Sequence, residues 1–165
     1  MLIIGESIHV IAPRVKEAIA QRDKVEIQHR ALNQLEAGAQ ILDLNIGPQK
    51  KAGPEVMGWI VDAVQEVAPG IRLSLDTTNA AAIEAGLQHA KERAIINSTD
   101  ATSDRLATLL PLAVKYDADV IALTYAGGAL PATTRKRANN NKAQSRAFRD
   151  HPIRWARTPV GKKET

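Results

Sequence analysis

Four short apolar runs, each ending on a carboxylate or an amide, constrain this chain more than any other feature. Leu2-Ile3-Ile4 stops at Gly5-Glu6, and Ile41-Leu42 leads into Asp43-Leu44-Asn45. Ile71 to Leu75 leads into Asp76, and Ala94-Ile95-Ile96 into Asn97. Short runs this apolar read as buried strands. Val120 to Thr124 makes a fifth.

Between the runs the period becomes helical. Pro13 opens a segment through Arg22. Asp23 can cap a second helix, in which Ile27, Ala31, Leu32 and Leu35 recur and which Gly38 ends. Val56, Ile60, Val64 and Val67 form one stripe, closed by a Pro69-Gly70 turn. Thr77 to Asn79 can cap a helix carrying Ile83 and Leu87. Thr102 or Ser103 can cap one carrying Leu106, Leu109, Leu110 and Ala113.

About five strands with four intervening helical segments give an α/β chain with a parallel sheet and right-handed crossovers. A doubly wound sheet and a barrel both satisfy this. No G-x-G-x-x-G follows the first strand, which disfavours a dinucleotide fold. The polar strand ends favour a partial TIM (β/α)8 barrel, because a barrel brings such ends into one mouth.

Composition limits the chemistry. Without cysteine there is no disulfide, thiolate metal site or cysteine nucleophile. His9, His29, His89 and His151 show no metal-ligand spacing, so no bound metal is expected. The apolar N-terminus is too short for a signal peptide, and no run approaches the roughly 20 residues of a membrane span. The expectation is a cytoplasmic chain without membrane contact. Five aromatic residues in 165 make the core aliphatic.

The net charge of +4 hides a break near Ala126. Residues 1–125 hold 12 Lys+Arg against 16 Asp+Glu, and residues 126–165 hold 10 against 2. Arg135-Lys136-Arg137 and Asn139-Asn140-Asn141 follow, without apolar periodicity. Residues 1–125 are therefore read as the barrel part and 126–165 as an irregular, basic, low-order tail. A frameshift would give such a tail; a basic extension is the other reading. Clustered Lys and Arg bind phosphates nonspecifically, but no nucleic-acid motif accompanies these. About 250 residues make a whole barrel, so this one is expected to be truncated, with unpaired edges on strands one and five.

Glu6, Asp43, Asn45, Asp76 and Asn97 form the candidate site. A carboxylate accepts two parallel N–H bonds, as from a 2-amino-pyrimidinone edge, and an amide both donates and accepts. A structural reading stands beside this one. Asp76 precedes Thr77-Thr78-Asn79 and can be a helix cap, and Asn97-Ser98-Thr99-Asp100 can be turn chemistry.

Several segments together resemble one family. They are Leu2 to Glu6, Gly38-Ala39 with Leu42 to Pro48, Asp76 to Asn79 with Ala82 to Leu87, and Ile96-Asn97-Ser98 with Pro111 to Val114. As a set, running from Met1 to about Thr124, they look like the methyltetrahydrofolate:corrinoid/iron–sulfur protein methyltransferases. Dihydropteroate synthase and the folate domain of cobalamin-dependent methionine synthase are wider relatives. The resemblance implies a TIM barrel that holds the pterin of 5-methyltetrahydrofolate at its C-terminal face. It implies transfer of the N5-methyl group to the cobalt of a corrinoid carried by a partner protein, and a homodimer. It also implies that Asp76 and Asn97 hydrogen-bond the pterin, with Asp43, Asn45, Glu6 and Ser98 in the same pocket. The family's Asn near N5 lies beyond the matching region, so the catalytic residue stays unassigned. Ser7 and His9 stand where the family usually has Arg and Asn. The first-strand motif of dihydropteroate synthase is lacking. That enzyme and a noncatalytic pterin-binding half-barrel remain the alternatives.

Overall fold

The computed structural model describes residues 2–100 and 102–123, and the backbone of a two-residue strand, Trp155–Ala156. The order is β1 (Ile4–His9), α1 (Pro13–Gln21), α2 (Lys24–Glu36), β2 (Ile41–Asn45), α3 (Gly53–Val67) and β3 (Arg72–Asp76). Then come α4 (Ala80–His89), β4 (Ile95–Thr99), α5 (Ser103–Lys115), β5 (Asp119–Ala122) and β6 (Trp155–Ala156). Every neighbouring pair of strands is parallel, and the sheet order is β1-β2-β3-β4-β5-β6.

That order separates the two architectures left open above. A doubly wound sheet reverses its strand order at a switch point; a barrel does not. Crossovers of one hand between sequential strands place every helix on one face. The core agrees. Leu42, Leu44, Leu73, Leu75, Ile96 and Val120 pack with Ile27, Ala31, Val56, Ile60, Val64, Ile83 and Leu109 of the helices. Alternate residues of the same strands, Asp43, Asn45, Ser74, Asp76 and Asn97, belong to the opposite, inner face. The architecture is the first part of a β/α barrel.

Local chemistry sets the helix ends. The Asp23 carboxylate accepts from the Val25 and Glu26 amides at the start of α2, as its position in the sequence suggests. At α4 the cap is Asn79, which accepts from Ala81 and Ala82. Gly86 lets α4 close onto α3 and β3: a Cβ there would lie 2.8 Å from Met57 Cγ and 2.9 Å from Leu75 Cδ1.

Three expectations need correction. The first strand does not stop at Glu6. Leu2 and Ile3 are exposed, and β1 runs on to His9 with an irregularity between Gly5 and Ile8. Glu6 therefore lies inside the strand and exposed, not at its end. The reason is Ile8, which is fully buried and pairs with Leu44. The extra residue that shifts the register is held by the Ser7 amide donating to Gln34 Oε1 at 2.7 Å. Second, strand five is not a bare edge, since Val120 and Ile121 pair with Trp155 and Ala156. Third, β5 begins at Asp119 rather than Val120. Thr124 and the basic run at Arg135–Arg137 lie outside the described residues. Among the described residues, no helix is long and apolar enough to cross a membrane.

Candidate functional site

Register builds the site. His9 pairs with Asn45, Asn45 with Asp76, and Asp76 with Asn97, so four strands contribute one level row, at the last residues of β1, β2 and β3 and, contrary to expectation, two residues before the end of β4, which runs on to Thr99. One step below, Asp43 pairs with Ser74. The C-terminal ends of the strands are where barrels place their chemistry.

Two short networks hold these side chains. In the upper one, the Asn45 amide nitrogen donates to the Asp76 carboxylate, and the Asn45 oxygen accepts from the Gly47 amide at 2.9 Å. Asn45 is thereby committed on both sides. In the lower one, Asp43 Oδ1 accepts from Ser74 Oγ at 2.6 Å and from Asn97 Nδ2 at 3.0 Å. Asp43 and Ser74 are buried, whereas Asp76 and Asn97 are half-buried and reachable.

The electrostatics follow from burial. Desolvation pushes the Asp43 carboxyl above the ordinary carboxylate range, against the opposing bonds from Ser74 and Asn97; the charges of Asp76 and Glu6 add to the rise. Asp76 is raised for the same first reason, with the Asn45 bond and His9 opposing and Glu6 adding. Glu6 thus acts on both carboxylates through its field, although it is exposed and outside the row. Ser98 is half-buried, and its carbonyl accepts from Arg105 Nη2 at 3.0 Å.

The loops above the row are tied together. Thr77 Oγ1 donates to the Gly47 carbonyl at 2.8 Å, and Asn79 Nδ2 donates to the Gln49 and Lys50 carbonyls. Arg105 bridges the Thr78 and Ser98 carbonyls. The cap of α4 is Asn79, so Asp76 is not spent on capping. Asn97 likewise turns its side chain to Asp43, while Asp100 holds the turn by accepting from the Thr102 amide. Neither Asp76 nor Asn97 is spent on a helix cap or a turn.

Sequence reasoning did not single out Ser74, Gln34 or Arg105. Ser74 carried a usable signal: it lies two residues before Asp76 on the same strand face. Gln34 and Arg105 sit on helices and reach the site only through tertiary packing. No group of three or more His, Cys, Asp or Glu residues among the described ones is placed to hold a metal ion.

A row of polar side chains from successive parallel strands, above a buried carboxylate, is a candidate small-molecule site at a barrel mouth. The model of the pterin binding enzymes matches residues 14–156, and the chain belongs to that family. It is 30% identical over 155 residues to a methylcorrinoid:tetrahydrofolate methyltransferase of Eubacterium limosum, covering 93% of this chain and 57% of that protein. It is 28% identical over 130 residues to a methionine synthase of Mycobacterium leprae, covering 75% of this chain and 11% of that one. The corresponding Mycobacterium tuberculosis enzyme gives the same figures. The chain therefore spans little more than half the length of the first relative. The family match continues past Thr124, where the motifs read from the sequence stop, and takes in Trp155–Ala156.

Proposed function

We propose that the mouth row binds the pterin ring of a tetrahydrofolate, and that the chain serves methyl transfer between pterin N5 and the cobalt of a corrinoid carried by a partner protein. The observation that carries this is Asp76: a half-buried carboxylate at a strand end, oriented by Asn45 and free of any capping role. Such a group accepts paired N–H donors from a 2-amino-pyrimidinone, and a ring without them leaves its charge unpaired. Asn97 on the next strand completes the edge, and Asp43 anchors it from below. Glu6 and Ser98 lie at the margin of the same pocket.

In the transfer the N5–methyl bond breaks, its electron pair stays on nitrogen, and a proton occupies N5. The reduced cobalt of the partner supplies the pair for the new bond. A neutral tertiary amine is a poor leaving group, so the protein's part is to favour the protonated or polarised N5. The direction expected from the sequence resemblance runs from 5-methyltetrahydrofolate to cobalt; the name of the Eubacterium relative describes the reverse. Both belong to one reversible exchange.

The test is calorimetric binding of tetrahydrofolate, followed by anaerobic spectrophotometry with 5-methyltetrahydrofolate and free reduced cobalamin. Binding together with turnover supports the full reading. Binding without turnover reduces it to a noncatalytic pterin module, which the 57% coverage of the relative makes a defined alternative. Absence of binding overturns both. Sequencing the coding DNA across residues 120–165 and translating every frame tests the tail. The family match to residue 156 favours barrel sequence there, and periodicity resuming in another frame would favour the frameshift.

A further inference from the structure

Asn97 is held by a buried relay. Its Nδ2 donates to Asp43 Oδ1 at 3.0 Å, and the same oxygen accepts from Ser74 Oγ at 2.6 Å. Asp43 is 3% exposed and Ser74 not at all, so bulk water does not compete for these bonds. A carboxylate can only accept. The Asn97 nitrogen is therefore committed downward, and a flipped amide would set oxygen against oxygen. Asn97 Oδ1 accepts from no donor among the described residues. On the neighbouring strand Asp76 is level with it and also presents acceptors only. Adjacent strands lie about 4.8 Å apart, so one flat ring can reach both side chains.

We propose that Ser74 and Asp43 are positioning residues that fix the Asn97 amide oxygen toward the ligand, so that the mouth selects the reduced, N8–H form of a pterin over the oxidised ring. A tetrahydropterin carries a hydrogen on N8, whereas the aromatic pterin has a lone pair there. The Asn97 oxygen placed at N8 accepts from the N–H of the first and meets a lone pair in the second, while Asp76 serves either ring alike. The inference rests on the pterin reading above and adds the orientation of the amide and the oxidation state of the ring.

The experiment titrates the 165-residue chain with tetrahydrofolate and with folic acid, anaerobically at neutral pH, and reads the ratio of the two dissociation constants. The chain is expected to prefer tetrahydrofolate by about tenfold or more, the range of one mismatched buried polar contact. In D43N an amide replaces the carboxylate, the Asn97 amide is free to turn either way, and the ratio is expected to fall to within about threefold. A merely structural Asp43 would weaken both ligands equally and leave the ratio unchanged, which would overturn the relay. Should D43N not fold, D43T decides: its hydroxyl both donates and accepts, so the Asn97 amide is again free to turn and the ratio should drop, and an unchanged ratio overturns the proposal. Equal binding of both ligands by the unaltered chain overturns the selectivity while sparing the pterin reading. Binding of neither overturns the pterin reading itself.

Discussion

Asn45 and Asp76 stand level on neighbouring strands, and the Asn45 amide donates to the Asp76 carboxylate while its own oxygen is held by the Gly47 amide. Asn45 is thus a support for Asp76, with neither end of its amide spare. Asn45→Ala should cost stability about 1–2 kcal/mol, as expected for two half-buried bonds, and should weaken tetrahydrofolate binding about tenfold by freeing Asp76 to rotate. Asn45→Asp should be worse for binding, because a second carboxylate beside Asp76 raises its proton affinity further. Calorimetry with thermal unfolding on both variants checks the order. Equal binding losses would mean that charge plays no part.

Asp76 also sets a pH dependence. Burial raises its proton affinity above the ordinary carboxylate value of 3.8. The ionised form is the one that accepts two N–H donors. Tetrahydrofolate affinity should therefore hold at neutral pH and fall as pH drops through a midpoint above that of a free Asp. In Asp76→Asn, affinity should be weak throughout and lose this midpoint. Dissociation constants measured from about pH 4 to pH 8 decide it; a midpoint at or below the free-Asp value would remove Asp76 from the pocket.

Much of this was legible in the sequence, for identifiable reasons. Ile41 to Asn45 and Arg72 to Asp76 are short, apolar and bounded by turns, so both their strand character and their polar ends could be read directly. The Asp23 cap was readable because an N-cap is a local bond. The first strand was not, because its register depends on Gln34, a residue 27 positions away that holds the Ser7 amide. Periodicity carries no such information, and Glu6 was accordingly placed at a strand end it does not occupy. The role of Asp43 was half legible. Its place at the site could be read, but its bonds to Ser74 and Asn97, 31 and 54 residues distant, come from strand pairing alone.

Asp43 gives stability its own pH dependence. Its folded-state proton affinity is raised by burial, so between 3.8 and its folded pKa the native chain holds more protons than the unfolded one. Stability contributed by this group is then present at low pH and declines as pH rises through the folded pKa. Asp43→Asn keeps an acceptor for Ser74 and removes the buried charge. It should unfold at neutral pH at a temperature equal to or above that of the unaltered chain, and its thermal midpoint should vary less across the acidic range. A large fall in the neutral midpoint would show that the charge itself holds the sheet together.

The outer face offers a test that alters no side chain of the mouth. Gly86 lies on α4 where that helix crosses α3 and β3, and it is buried. A methyl group there would come within 2.8 Å of Met57 Cγ and 2.9 and 3.1 Å of the two Leu75 methyls. Helix propensity favours Gly86→Ala by up to about 1 kcal/mol, while overpacking opposes it by about 1–3 kcal/mol. The contacts are too close for propensity to win, because Leu75 is fixed on β3 with no exposure. Gly58→Ala on α3 is the matched control. There the nearest atom is the imidazole of His89 at 3.0 Å, on an exposed side chain that can move aside. Gly58→Ala should therefore be neutral or stabilising, and Gly86→Ala destabilising by about 1–2 kcal/mol net of propensity. Since Leu75 directly precedes Asp76, Gly86→Ala should also weaken tetrahydrofolate binding modestly by shifting the end of β3. Chemical denaturation of both variants, with ligand titration of each, measures the two effects. Equal stability of the pair would mean that α4 does not pack on the sheet as closely as these distances require.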